Sequence, residues 1–211
     1  MLVACYGGVD DGFFKRGWSK TVAVLSVHCE REEVFCPCSF YAAPITVDGS
    51  DATAVIVELI RSALSDGFAL DVVLLDTVVF AGFNIAVPWR VWEDTGIPVI
   101  VVLLYPPNAG AAERALMKLF SNHQWRIEVL RRVWSDLFRV ECSRGSLYAA
   151  AYGVERGRAW SLLCSLQRFT RQPEPLYTAH IVASSLSPLL KREGELGGYE
   201  HYQHGRGEGE L

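Results

Sequence analysis

A chain of 211 residues, 50% of them hydrophobic, can bury a full core without a metal or disulfides to hold it, and reads as one large domain rather than two small ones. Its longest apolar stretch, residues 97–105, falls far short of the ~20 residues a membrane-crossing helix needs, and the first residues lack the basic start and cleavage site of a signal peptide, so a cytoplasmic protein with no membrane partner is expected. The formal charge of −4 gives by itself no sign of a nucleic-acid protein. Its distribution says more: residues 113–171 carry eleven Lys or Arg against five acids, a local +6, and the remainder carries nine bases and nineteen acids, a local −10. Such a split is either a footprint for a polyanion bound beside an acidic site or the solvated faces of two helices.

In chain order, residues 2–9 are apolar and run into Gly8-Val9-Asp10-Asp11-Gly12, a strand entering a turn. Residues 21–29 and 34–45 read as two further strands joined by a hairpin at 30–33. Asp48-Gly49-Ser50-Asp51 supplies turn and N-cap chemistry, and Ala52, Val55, Ile56, Leu59, Ile60, Ala63 and Leu64 recur at helical spacing. After Asp66-Gly67, residues 70–80 form a Val/Leu run broken only by Asp71, Asp76 and Thr77, as in a strand covered on both faces. Residues 88–93 read as a short helix, 99–105 as a second buried strand and 111–120 as a helix. Short strands are expected over 125–133 and 137–142, then helices over 157–171 and 176–191 separated by Pro173-Glu174-Pro175. Beyond 193 the chain turns to Gly, Glu, His and Tyr, which predicts a flexible tail over 193–211 behind a domain over 1–192.

Cysteines 5, 29, 36, 38, 142 and 164 lie mostly in apolar segments, where a thiol behaves as a small hydrophobe; free buried thiols are expected, with structural disulfides reserved for a hyperthermophilic source. Cys36-Pro-Cys38 would place both sulfurs on one strand face, but zinc needs about four ligands and no second pair lies near in sequence.

Asp10 closes the first strand and Asp76 sits in the most apolar run of the chain, where an unpaired carboxylate is costly. A hard divalent cation, Mg²⁺ or Mn²⁺, compensates such a pair, because it takes oxygen ligands from one or two carboxylates plus substrate phosphate. The plainer alternatives are a self-bonded turn at Asp10-Asp11-Gly12 and a strand-end acid at Asp76 that accepts from loop amides. A dinucleotide loop is not matched, since acids stand where a phosphate would approach.

The motifs Gly8-Val9-Asp10-Asp11-Gly12-x-Phe14, Val47-Asp48-Gly49-x-Asp51-Ala52-Thr53, Leu75-Asp76-x-x-x-Phe80-Ala81-Gly82-Phe83-Asn84, Ile97-Pro98-Val99-Ile100-Val101-Val102 and Pro173-Glu174-Pro175-Leu176-x-x-Ala179-His180-x-x-Ala183-Ser184 occur in that order. Together they resemble a largely archaeal family of unknown function, domain of unknown function 99, itself related to endonuclease V. The resemblance spans residues 1–192. It implies an α/β, ribonuclease-H-like fold of the endonuclease V kind, a mixed sheet flanked by helices, which the order of strands and helices also suits. It further implies a Mg²⁺-dependent phosphodiester hydrolase whose metal lies at Asp10 and Asp76, with DNA or RNA as partner and Thr77 at a position where endonuclease V carries glycine. The nuclease relatives also carry a glutamate beside a Pro-Tyr wedge before the first helix and a lysine after the strand matching 99–104. Neither is matched here, and the nearest acid, Asp51, reads as a helix N-cap.

His180 lies on an otherwise apolar helix face after the Pro-Glu-Pro turn, where an acid or histidine completes the site in ribonuclease-H-like enzymes; with Asp11 it is the candidate for proton transfer, and the alternative is a core histidine. Glu174 is the other candidate to complete the site. Phe80, Phe83 and Asn84 would form a loop at the pocket mouth, the rings offering a base-stacking platform. Two further readings stay open: a nucleic-acid-binding protein without cleavage, and an interaction protein whose acids are structural.

Overall fold

The computed structural model describes residues 4–31 and 34–196, with side chains to 189. Strands β1 (Cys5–Asp11), β2 (Lys20–Arg31) and β3 (Val34–Thr46) form an antiparallel meander. Helix α1 (Ala52–Ser65) crosses over to β4 (Leu70–Leu75), parallel to β1. After the hairpin β5 (Val79–Phe80) and β6 (Asn84–Ile85), α2 (Pro88–Thr95) leads to β7 (Val99–Leu103), parallel to β4. Then come α3 (Ala109–Leu119), α4 (His123–Asp136), the antiparallel pair β8 (Phe138–Cys142) and β9 (Gly145–Tyr152), α5 (Arg156–Leu166) and α6 (Glu174–Leu196). The seven-stranded sheet has the order β3-β2-β1-β4-β7-β9-β8.

The sheet separates two apolar layers. One face buries α1, α2 and α4 against Val9, Leu25, Val73, Leu75 and Val101; the other buries α5 and the start of α6 against Val72, Leu74, Ile100 and Leu147. Central strands covered on both sides explain the continuous Val/Leu runs of β4 and β7. Among the described residues no helix is long and apolar enough to cross a membrane.

Several local expectations are corrected. Residues 125–133, expected as a strand, are helical in α4: Trp125, Ile127 and Val129 alternate, but Ile127, Leu130 and Trp134 also recur at helical spacing, and that stripe packs on the sheet. The second short strand, at Phe138–Cys142, is present and pairs with β9, which the Ala-rich sequence did not signal. The run 70–80 is not one strand, because β4 stops at Leu75 and Val79–Phe80 belongs to a separate hairpin. Helix α6 continues to Leu196, past the boundary expected at 193; the rest of the expected tail, and residues 32–33 of the first hairpin, lie outside the described residues.

Four of the six cysteines are disulfide-bonded rather than free. Cys5 and Cys29 face each other across β1 and β2, with Cα atoms 4.1 Å apart, and Cys142 at the end of β8 meets Cys164 of α5. Cys36 and Cys38 are free and exposed, and a shift in the β2–β3 register beside them breaks the simple alternation that would align their sulfurs.

Candidate active site

Strand register decides where the acids point. Val9 of β1 lies opposite Leu75 of β4, and the Asp76 N–H donates to the Val9 carbonyl (3.2 Å). One residue beyond that pair, Asp10 and Asp76 leave neighbouring parallel strands on the face that α6 covers, and Asp11 turns to the opposite face of the same rim. All three line a pocket of about 410 Å³ together with Gly12, Phe13, Phe14, Thr77, His180 and Ser184. A groove of about 670 Å³ runs elsewhere, along α1, and none of the residues expected to carry chemistry lines it.

Each carboxylate is held. Asp10 accepts the Asp11 N–H (2.8 Å) on one oxygen, and its other oxygen lies 2.9 Å from His180 Nδ1. Asp11 accepts the Ala81 N–H (2.9 Å), and Asp76 accepts a side-chain N–H of Gln172 (2.8 Å). Burial pushes the Asp10 carboxyl up to about 7, with the charges of Asp76 and Asp11 adding to it and the bonds from Asp11 and His180 opposing it. Asp11 is pushed up to about 6, again chiefly by burial, and Asp76 is raised for the same reason. One buried and two half-buried acids thus repel one another, and the basic group that hydrogen-bonds Asp10 is His180, whose ring is 57% exposed.

The approach of α6 follows from small residues. A Cβ on Gly8 would come within 2.6 Å of the Leu176 nitrogen and closer still to the Pro175 carbonyl, and one on Gly12 would lie 2.6 Å from the Ala183 oxygen. The Ser26 hydroxyl donates to the Pro175 carbonyl (2.6 Å). Gly8, Gly12, Ala179 and Ala183 therefore let the helix lie directly on β1 and β2, and His180 arrives over Asp10.

Other expected site residues stand elsewhere. Phe80 is fully buried and offers no stacking face. The Phe83 ring is partly buried, edge-on to Phe120. Asn84 is a brace, taking the Ala52 N–H on its oxygen (2.9 Å) and donating to the Thr46 carbonyl (2.8 Å) and to Asp51. Asp51 precedes α1 but its side chain makes no cap bond, because its oxygens turn to the Thr46 hydroxyl (2.7 Å), the Thr46 N–H (3.3 Å) and the Asn84 amide; these bonds hold its carboxyl below the ordinary range against the effect of burial. Glu174 accepts the Phe169 N–H (3.2 Å) in the loop before α6 and does not line the acid pocket. The basic stretch makes no single footprint, since α4 and α5 pack on opposite faces of the sheet. Within it Arg126 is buried and ties the Gly49 and Phe83 carbonyls to Asn122, fixing two loops beside the first helix. Phe13 at the pocket and Gln172 on Asp76 were not singled out from sequence, and Phe14 and Ser184 stood only as motif positions; for Phe13 the available signal was Phe13-Phe14-Lys15-Arg16-Gly17-Trp18, aromatic and basic directly after the acids.

The family described as Endonuclease dU matches residues 5–187. This chain belongs to the Endonuclease dU family. Among its relatives, a UPF0215 protein of Pyrococcus horikoshii is 37% identical over 182 residues, 85% of this chain and 90% of the relative, and one of Thermococcus gammatolerans is 35% identical over 184 residues, with the same coverage. Among solved structures, a protein of unknown function from Archaeoglobus fulgidus superposes with a TM-score of 0.71 at 24% identity, covering 86% of this chain and 97% of the other. Human endonuclease V superposes at 0.53 with 18% identity, covering 90% and 85%. Ciona intestinalis endonuclease V, in complex with a 23mer DNA containing an inosine followed by a ribo-adenosine, superposes at 0.55 with 13% identity, covering 90% and 86%. The Endonuclease dU chain therefore has the ribonuclease-H-like fold of endonuclease V, as its motifs implied.

The donor chemistry of the site fits a hard cation. Asp10, buried, and Asp76, half-buried, carry carboxylate oxygens at adjacent strand ends, where the charge of Asp76 helps to raise the Asp10 carboxyl. Among the described residues no three or more Cys, His, Asp or Glu side chains surround a metal-sized point, so a bound Mg²⁺ or Mn²⁺ would complete its shell with water or phosphate oxygens, as Mg²⁺ commonly does.

Proposed function

We propose that the chain is a divalent-metal-dependent endonuclease that hydrolyses a phosphodiester bond in DNA beside a deaminated base, deoxyuridine being the base its family description names. The observation that carries this reading is the convergence of Asp10, Asp11 and Asp76 on one pocket rim with His180 hydrogen-bonded to Asp10. A Mg²⁺ or Mn²⁺ ion held by Asp10 and Asp76 would supply positive charge for the phosphate oxygens. Asp10 orients the imidazole; when Nδ1 donates to the carboxylate, the lone pair rests on Nε2, which takes a proton from the attacking water. Asp11, anchored by the Ala81 N–H, is a second proton acceptor, and Gln172 holds Asp76 in its orientation.

A second reading, binding without cleavage, draws support from Asp51, whose carboxylate is engaged by Thr46 and Asn84 and does not supply the further acid that the nuclease relatives carry near there. The test is cleavage of end-labelled DNA and RNA oligonucleotides bearing deoxyuridine, inosine or neither, single-stranded and duplex, in Mn²⁺, Mg²⁺ or EDTA. We expect cutting of the deoxyuridine strand with metal, none in EDTA, and a loss of at least about a hundredfold in Asp76→Asn with the fold retained. No cutting of any substrate by the wild type moves the binding reading to first place, and Asp76→Asn cutting at the wild-type rate makes the acids structural.

A further inference from the structure

We infer that the loop between β1 and β2, residues 12–19, with Lys20 at its end, seats an unpaired nucleic-acid strand: one exposed base lies on Phe13, and the flanking phosphates meet Lys15, Arg16 and Lys20. The inference takes its choice of polyanion from the nuclease reading, but its test does not depend on cleavage.

The loop is built rather than loose. Gly12 N–H donates to the Val22 carbonyl (2.8 Å), and the Thr21 hydroxyl lies 3.0 Å from both the Gly12 and Phe13 carbonyl oxygens. A tight turn follows, with the Trp18 N–H donating to the Lys15 carbonyl (3.0 Å) and Gly17 at φ +89°. The far end is tied down where Ser19 accepts the Val47 N–H (2.9 Å). On this frame Phe13 is 45% exposed, its ring 5.9 Å from Trp18 and tilted by 36°, and Phe13 and Phe14 line the same pocket as the acids. A single exposed aromatic means little. Here, however, the ring shares one loop with the exposed Lys15 and Arg16 and with Lys20 at its end, none of which enters an ion pair among the described residues.

Charge selects the occupant. Three carboxylates at the pocket would drive off a polyanion unless nearby cations hold its other phosphates, and the loop that lends Phe13 and Phe14 to the pocket carries such cations. A flat anionic bilayer would also meet the cations but would press its charge on the acids, whereas a strand can follow the loop. The pair Tyr105 and Arg171 does not compete for this role: Arg171, half-buried, stacks on Tyr105 and donates to the Leu104 carbonyl (2.7 Å), and neither lines the acid pocket. A base whose face is free, hence unpaired, is what Phe13 can stack.

The experiment is fluorescence anisotropy of a labelled single-stranded DNA oligonucleotide with the full chain at low salt, in EDTA and again in Ca²⁺, with melting curves for every variant. We expect Phe13→Ala to weaken binding about tenfold and Phe13→Leu less, because leucine keeps the apolar contact and loses the stack. Lys15→Gln/Arg16→Gln should lower the slope of log affinity against log salt by about 1.4, the share of two single-strand phosphates. Lys118→Gln, an exposed cation on α3, should leave binding unchanged. Wild-type protein that binds in neither buffer, loop variants that bind like wild type, or anionic vesicles that hold the protein as tightly through the same residues, each overturns the assignment. Binding losses in the loop variants with no cleavage by the wild type would leave the loop standing and remove the nuclease; unchanged binding with active cleavage would do the reverse.

Discussion

Burial acts alike on Asp10 and His28 and moves them in opposite directions. Both disfavour the charged form, so the carboxyl of Asp10 goes up to about 7 and the imidazole of His28 goes down to about 4. His28 is 2% exposed, faces Phe35 at 5.2 Å between ring centroids and has no hydrogen-bond partner at either nitrogen. With the folded value below the unfolded one, the unfolded chain binds the extra proton: stability is complete above an unfolded value of about 6.5 and is lost as pH falls towards about 4, by about 3 kcal/mol at the limit. Urea unfolding over that range should show the loss in wild type and a flatter profile in His28→Leu. Superimposable profiles would place the acid sensitivity on another group.

Helix α6 is held by shape more than by charge. Its apolar positions Leu176, Ala179 and Ala183 lie on a surface made shallow by Gly8 and Gly12, and the approach leaves no room for a Cβ at position 8. Gly8→Ala is expected to cost about 3 kcal/mol, near the upper end for overpacking, because the opposing atoms are backbone and cannot rotate away. Displacing α6 would also draw His180 from Asp10, so the proposed metal-dependent cleavage should fall by more than the stability loss alone explains. Gly157→Ala in α5, where the new Cβ meets nothing nearer than 3.6 Å, should be neutral or stabilising by up to about 1 kcal/mol. Thermal melts of the two variants check the contrast; equal melting points would mean that β1 and α6 are not closely packed.

At the scale of the whole molecule, the sheet gathers negative charge at one rim and spreads the basic stretch over both of its faces. The acid rim sets a second pH window, opposite in sign to that of His28. Because Asp10 and Asp11 are raised to about 7 and about 6, the metal-free fold binds more protons than the unfolded chain, and their contribution is lost as pH rises through those values. A metal at the proposed site would reverse this, since it would bind the deprotonated carboxylates. The rise in melting temperature on adding Mn²⁺ should therefore be larger at about pH 8 than at about pH 5.5, where Asp10 is protonated, and should vanish in Asp76→Asn. An equal rise at both pH values would place the ion elsewhere.

What could be read along the chain was whatever a local signal encodes. The Val/Leu runs of β4 and β7 announced buried parallel strands, the 3.6-residue period announced α1, and acids following apolar runs marked Asp10 and Asp76. The five motifs carried the family and, with it, the ribonuclease-H-like fold. What the chain did not announce depends on which distant segments face one another. Trp125–Val133 fits a strand or a helix until the sheet offers its face, and Asp51 reads as a cap until Thr46 and Asn84, the latter 33 residues away, engage its carboxylate. Phe80 and Phe83 follow Asp76 closely, yet the β5–β6 hairpin folds them into the packing, while Phe13 stays exposed against the half-buried Trp18. The cysteine pairing and the bonds of His180 and Gln172 to the acids likewise exist only once register and helix docking are set, because periodicity reports which face a residue takes and not what that face meets.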